Sequence, residues 1–296
     1  MPHESPVPPE SSSFPPVGLT AIGVAAIRAA ESARPDRLFE DPYAAGFARA
    51  AGDDWRPRPL TPPTEDAERR RRGLTAWITV RTRFLDDVML DACAGSCRQV
   101  VILGAGLDSR AFRLAWPQGT LLWELDLADV IEFKERVIRS EGWQPRCART
   151  TVPVDLSEDW GQPLLQAGFD ASAPVAWLAE GLLAYLSAEV RDALVSRTAR
   201  LSVPGSRMGL TLAASERLAA WRKAHRDHDA VRGDYVALWR STAPDDPTGW
   251  LAAYGWGAAL YDVAERSAAY GRPLGDSFGN SEEGRGSARL VDATRL

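Results

Sequence analysis

The sequence predicts an α/β fold. The expected architecture is a Rossmann-like, mostly parallel sheet with a returning final strand, an N-terminal helical cover and a helical lid insertion after the fifth strand. Three observations carry that expectation. In Gln99–Leu103 the four consecutive apolar residues Val100 to Leu103 read as a strand buried on both faces, and they lead straight into Gly104-Ala105-Gly106. After Arg98 strand-like and helix-like segments alternate, which requires right-handed crossovers and a parallel sheet. The chain then closes with 254–262 and 289–295, a strand pair instead of further βα units.

Taken in order, residues 1–17 are rich in proline and serine and read as a disordered lead-in, without the basic-then-apolar pattern of a targeting segment. Residues 18–296 form one expected domain. Its first part, 18–97, is the helical cover: an alanine-rich helix over 18–30, a break at Pro35 and Pro42, a short helix over 44–51 and a proline-rich loop over 57–63. A long helix follows over 65–93, with Leu74, Trp77, Ile78, Arg81, Leu85, Val88 and Met89 near i, i+3, i+4 spacing. Arg69 to Arg72 follow Glu65, Asp66 and Glu68, so this run reads as a solvated face with local ion pairs.

The core, 98–213, has expected strands over 99–103, 121–126, 150–154, 175–179 and 207–213. The helices between them span 109–114, 127–141, 163–168 and 188–201. Residues 214–253 form the charged lid insertion, carrying Trp221, His225, His228, Tyr235 and Trp239. Residues 254–296 hold the final strand pair, separated by a helix and a Gly/Ser-rich loop over 275–287.

Composition excludes several classes. A net charge of −5 gives no reason to expect a nucleic-acid backbone. No apolar run approaches the ~18–20 residues of a membrane span. Cys93, Cys97 and Cys147 include no second pair and no nearby histidine for zinc; Cys93 and Cys97 are expected to pack as small hydrophobes near a helix end. Neither Asp36 with Asp41 nor Asp86 with Asp87 brings the further oxygens a hard cation needs, so no metal is expected. The expected compartment is the cytoplasm.

Ligands of such sheets bind at the C-terminal strand ends. The first strand ends at Gly104-Ala105-Gly106, the second at Glu124 and Asp126, the third at Asp155-Leu156 and the fourth at Glu180-Gly181. Ser109 stands where a dinucleotide fingerprint needs its third small residue, which argues against NAD. The set fits S-adenosylmethionine: Asp126 for the ribose hydroxyls, Asp155 for the adenine amino group with Leu156 over the ring, Gly104 and Gly106 admitting the methionine portion, and Glu180 balancing the α-amino group or, at longer range, the sulfonium charge. Any single carboxylate among these, and Asp108-Ser109-Arg110 too, also reads as a helix cap. Glu124 lies on the same strand face as Asp126, so only one of them need reach the ribose.

Four separated segments carry a resemblance: 33–44 with Arg37-Leu38-Phe39-Glu40-Asp41-Pro42-Tyr43, 80–87 with Val80-Arg81-Thr82-Arg83, 103–114 with Gly104-Ala105-Gly106-Leu107-Asp108-Ser109-Arg110, and 179–186 with Glu180-Gly181-Leu182-Leu183-Ala184-Tyr185. Together with Tyr270-Gly271-Arg272-Pro273, they make the chain, from about Gly18 onward, resemble the bacterial, actinobacterial branch of the leucine carboxyl methyltransferase family. These are class I S-adenosylmethionine-dependent enzymes, some of which esterify polyketide acids. The resemblance implies a cofactor site of Arg81, Gly104, Asp126, Asp155, Leu156 and Glu180, with Ala105, Gly106, Leu127 and Gly181 adjoining. It adds Arg81, as a partner for the cofactor's carboxylate. The chain departs from the branch at Ser109, Leu127-Ala128 and Ala184, which bear on the substrate side.

The expected activity is O-methyl transfer forming a methyl ester on a carboxylate of a small secondary metabolite or peptide acid. A carboxylate is already ionised and needs no base. A hydroxyl or phenol acceptor is the alternative; it would need one, with His225 and His228 the candidates. Tyr185 is expected to orient the acceptor. A nicotinamide oxidoreductase and a non-catalytic cofactor-binding protein are the remaining alternatives. The expected partner is a small-molecule or peptide carboxylate, not nucleic acid or membrane, and a homodimer is left open.

Overall fold

The computed structural model of the protein describes residues 16–52, 65–213, 239–274 and 288–296. Its strands are β1 (Gln99–Leu103), β2 (Leu121–Asp126), β3 (Ala148–Pro153), β4 (Val175–Ala179), β5 (Arg207–Ala213), β6 (Trp256–Asp262) and β7 (Ala288–Arg295). They form one sheet in the order β3-β2-β1-β4-β5-β7-β6. Neighbours among β1 to β5 pair in parallel, while β7 runs antiparallel to both β5 and β6. Strand order reverses between β1 and β4, so the crevice over their C-terminal ends is where a parallel sheet of this kind takes its ligand.

Around the sheet lie α1 (Pro16–Ser32), α2 (Ala44–Ala50), α3 (Glu65–Ala94), α4 (Arg110–Arg113), α5 (Ala128–Glu141), α6 (Gly161–Gln166), α7 (Ala188–Arg200), α8 (Pro247–Ala253) and α9 (Val263–Ala269). A 3-10 turn at Leu183–Tyr185 follows β4. The strand period of two divides β1 between two cores. Val100 and Ile102 pack with Ile78, Leu85 and Met89 of α3 and with Phe112 of α4. Val101 and Leu103 pack on the other face with Trp160, Trp177 and Leu194. Both faces are buried, and each such apolar side chain contributes roughly 1.5–3 kcal/mol.

Among the described residues the expected strands and helices of 18–213 and 254–296 are present, with small shifts at their ends. α1 already begins at Pro16, inside the expected disordered lead-in over 1–17, of which residues 1–15 lie outside the described residues. β3 begins at Ala148, whose N–H donates to Thr120 O at 3.2 Å, and it ends at Pro153. Only β2 pairs with β3, and such an edge position tolerates a proline. α6 starts at Gly161, two residues before the expected Pro163, because the buried Trp160 takes the N-cap position. β6 starts at Trp256, since Tyr254 and Gly255 donate to Leu251 O and Ala252 O and so close α8.

Of the expected lid insertion, 214–238 lies outside the described residues, and with it Trp221, His225, His228 and Tyr235. The returning segment is stapled to the sheet tips: Arg240 and Ser241 N–H donate to Ala184 O at 2.7 and 3.2 Å, and Ala243 N–H donates to Ala213 O at 2.7 Å. Cys93 and Cys97 are buried free thiols, as expected; burial pushes the Cys93 thiol up to about 12, so it packs as an inert hydrophobe. Among the described residues no helix is long and apolar enough to cross a membrane.

Candidate cofactor site at the strand tips

The turn after β1 needs its two glycines. Gly104 has φ +62° and Gly106 φ +46°, in the left-handed region that favours glycine. A Cβ on Gly104 would lie 2.8 Å from Leu182 Cδ1, and one on Gly106 would lie 3.3 Å from Ala21 Cβ of α1. Ala105 N–H donates to Leu125 O at 3.0 Å and so pins the turn to the neighbouring strand. The tip of β2 completes the link: Asp126 Oδ2 accepts from Gly106 N–H at 2.6 Å and Oδ1 from Leu127 N–H at 2.7 Å. Burial pushes the Asp126 carboxyl above its ordinary value, against those two bonds.

Glu124, two residues earlier, does something else. It is wholly buried, and its Oε2 takes Lys134 Nζ at 2.6 Å and Arg149 Nη2 at 2.8 Å. It is thus a buried core ion cluster, and Asp126 alone stands at the tip. At β3, Asp155 is exposed; its Oδ1 accepts from Ser157 N–H and Oγ at 2.8 and 2.7 Å. Those bonds hold its carboxyl below the usual range. No described residue bonds its Oδ2. Leu156 is buried beside it against the second core.

At β4, Glu180 Oε1 accepts from Arg81 Nε at 3.0 Å and Thr82 Oγ1 at 3.3 Å, while Oε2 pairs with Arg110 Nη2 at 2.7 Å. Burial opposes ionisation of Glu180, but the arginines Arg110 and Arg81 outweigh it and hold the carboxyl below its ordinary value. Arg81 comes from α3 and crosses closely over Gly181, where a Cβ would stand 3.0 Å from its guanidinium nitrogens. Gly181 has φ +64° and donates its N–H to Thr211 Oγ1 at 2.8 Å. Tyr185 bonds through its hydroxyl to Thr20 of α1 and to Trp239, where the chain returns to the sheet, and burial raises its phenol.

The strand tips therefore bring together Arg81, Gly104, Ala105, Gly106, Asp126, Leu127, Asp155, Leu156, Glu180 and Gly181. His225 and His228 are not among the described residues.

The leucine carboxyl methyltransferase model matches residues 21–199. The chain belongs to the leucine carboxyl methyltransferase family. It is 48% identical over 282 residues to a Streptomyces coelicolor protein provisionally named an S-adenosyl-L-methionine-dependent methyltransferase, across 94% of this chain and 95% of that one. A Frankia alni protein with the same provisional name is 47% identical over 94% of this chain and 95% of its own. A DUF574 family protein from Streptomyces avermitilis shares the fold, with a TM-score of 0.51 at 13% identity, over 92% of this chain and 97% of that structure.

Around the glycine turn lies a charge network that the sequence does not by itself reveal. Asp108-Ser109-Arg110 reads as a helix cap, yet only Asp108 caps, its Oδ1 accepting from Arg110 N–H at 2.7 Å. Ser109 Oγ instead donates to Asp41 at 2.6 Å, and Asp41 also takes Arg28 at 2.8 Å. Asp86 accepts from both Arg110 and Arg113. A signal was present: Asp86 lies one helical turn from Thr82 and from Met89 on a buried stripe of α3, and a carboxylate there must meet a cation.

The residues present fit S-adenosylmethionine. Asp126 presents a carboxylate at the tip of β2, Asp155 keeps one oxygen open, and Glu180 with Arg81 offers one charge of each sign to an amino-acid end.

Proposed function

We propose that this methyltransferase transfers a methyl group to oxygen, forming a methyl ester on a carboxylate of a small metabolite or peptide acid. S-adenosylmethionine is the methyl donor. When bound it supplies an electrophilic sulfonium methyl carbon, which an acceptor oxygen takes by in-line displacement while the sulfur departs as a neutral thioether.

The chain's own residues then have distinct tasks. Asp126, fixed by two backbone N–H groups, accepts from the ribose hydroxyls. Asp155 takes the adenine amino group on its open oxygen, and Leu156 backs the ring. Glu180 and Arg81 receive the ammonium and carboxylate of the amino-acid end. Holding the acceptor oxygen in line near the methyl carbon supplies much of the rate.

One observation carries the choice of a carboxylate acceptor: among the described strand-tip groups none is both unengaged and set to take a proton near neutral pH. That includes Asp126, since burial raises its carboxyl but both its oxygens are bonded to backbone N–H groups. Glu180 is held ionised between Arg81 and Arg110, Asp126 is engaged by two N–H donors, and the buried Tyr185 phenol stays protonated. A carboxylate needs no such base. Tyr185 then serves by positioning the acceptor's surroundings, where cover and lid return meet. The three free cysteines support a cytoplasmic setting.

A pH–rate comparison tests the reading. With a carboxylic acid acceptor kcat should stay flat from about pH 6 to 9, where the carboxylate is fully ionised. A hydroxyl analogue turned over faster, with a rising alkaline limb, would overturn it.

A further inference from the structure

Arg110 is 2% exposed, and it joins three elements through one guanidinium. Nε meets Asp86 Oδ1 of α3 at 2.7 Å, Nη1 pairs with Asp108 of the glycine turn, and Nη2 meets Glu180 Oε2 at the tip of β4 at 2.7 Å. Nη2 also donates to Thr82 O at 3.4 Å. Arg113 grips Asp86 from the other side, both contacts at 2.6 Å, so the base on which Arg110 rests is itself fixed. The planar five-donor fork of arginine suits this arrangement, because its three nitrogens each face a different carboxylate, whereas a lysine would concentrate its donors on one nitrogen.

The two oxygens of Glu180 are consequently unlike. Oε2 is committed to Arg110, while Oε1 is held by Arg81 and Thr82. An amino-acid zwitterion entering between Arg81 and Glu180 brings an anion for one and a cation for the other, so both find new partners. Glu180 stays in register during that exchange only if something else holds it.

We propose that Arg110 is a positioning residue that anchors Glu180 through Oε2, so that Oε1 is exchanged between Arg81 in the free enzyme and the ammonium group of the cofactor. Arg110 touches no reacting atom; it acts through Glu180. The inference rests on the reading that Glu180 and Arg81 receive the amino-acid end.

The test compares two ligands of the full chain by calorimetry. S-adenosylhomocysteine carries the amino-acid end, and 5′-methylthioadenosine lacks it while keeping the adenosine and the sulfur. Arg110→Lys should weaken S-adenosylhomocysteine about tenfold and leave methylthioadenosine unchanged. In a Glu180→Gln background, the same substitution should change S-adenosylhomocysteine affinity less than about threefold, because the two act as one unit. Asp108→Asn, which can keep the cap and loosens Arg110 more gently, should move the affinity ratio the same way by about threefold; it decides the matter should Arg110→Lys not fold. Equal weakening of both ligands, or an unchanged ratio, would assign Arg110 to the fold alone and overturn the proposal. Equal affinity of the two ligands for the unaltered protein would instead remove the amino-acid end from Glu180, and with it the reading beneath the proposal.

Discussion

Gly106 N–H donates to Asp126 Oδ2 at 2.6 Å, so the glycine turn and the acid at the next strand tip are one object, not two separate motifs. The bond fixes the acid at the tip of β2, beside the glycine turn. It also explains why Asp126 can remain at a largely buried strand end, although burial raises its carboxyl.

Gly106→Ala tests the turn. A residue with a Cβ at φ +46° costs about 1–2 kcal/mol, and this Cβ would press on Ala21 of α1. Denaturant unfolding should reveal that loss, accompanied by weaker S-adenosylhomocysteine binding. Unaltered stability would mean that the turn is not strained in this way.

Asp126 and Glu124 should separate cleanly under mutation. Asp126→Ala loses the ribose acceptor and should weaken S-adenosylhomocysteine by about 1–3 kcal/mol. Glu124→Gln leaves Lys134 and Arg149 without their shared carboxylate, a buried defect on the order of 3–5 kcal/mol. Its cofactor affinity, measured on the folded fraction, should stay near that of the unaltered protein.

Much of this was legible beforehand. β1, β2, β4 and β5 have the bounds read from the sequence, because buried apolar runs mark their own ends. Gly104, Gly106, Asp126, Asp155 and Glu180 are legible as candidates because each follows or ends a strand, and the structure places them at those strand tips. The roles of Glu124 and Arg110 were not legible. Strand alternation puts Glu124 and Asp126 on one face but says nothing of Lys134 and Arg149 arriving from α5 and β3. Arg81 meets Glu180 across 99 residues, and no local pattern encodes such a pairing.

Stability should fall in acid. Burial opposes ionisation of Asp108, yet Arg110 and its neighbours bring the carboxyl down to about 2, and Asp41, Glu124 and Glu180 are likewise held low. Such groups stabilise the fold above their unfolded values near pH 4 and lose that contribution as pH drops toward 2. Asp108 alone accounts for roughly 2 kcal/mol. Asp126 has the opposite sign: it takes up its proton first, which relieves its burial cost while replacing a charged acceptor for the ribose hydroxyls with a weaker neutral one. Cofactor affinity should therefore decline at a higher pH than the Tm does, and coincident midpoints would refute the assignment.

Tyr185→Phe removes a hydroxyl that bonds Thr20 and Trp239. The expected result is a several-fold rise in acceptor KM, about 0.5–1.5 kcal/mol for one hydrogen bond, with S-adenosylhomocysteine affinity unchanged. A large fall in kcat with no change in KM would make the phenol a participant in the chemistry.

The central claim is ester formation, and one measurement addresses it directly. The protein is incubated with methyl-labelled S-adenosylmethionine and a panel of carboxylic acids, and the labelled product is treated with mild base. A methyl ester releases its label as volatile methanol, which is the predicted result. Label that survives the base belongs to an ether or another stable linkage, and would contradict the account.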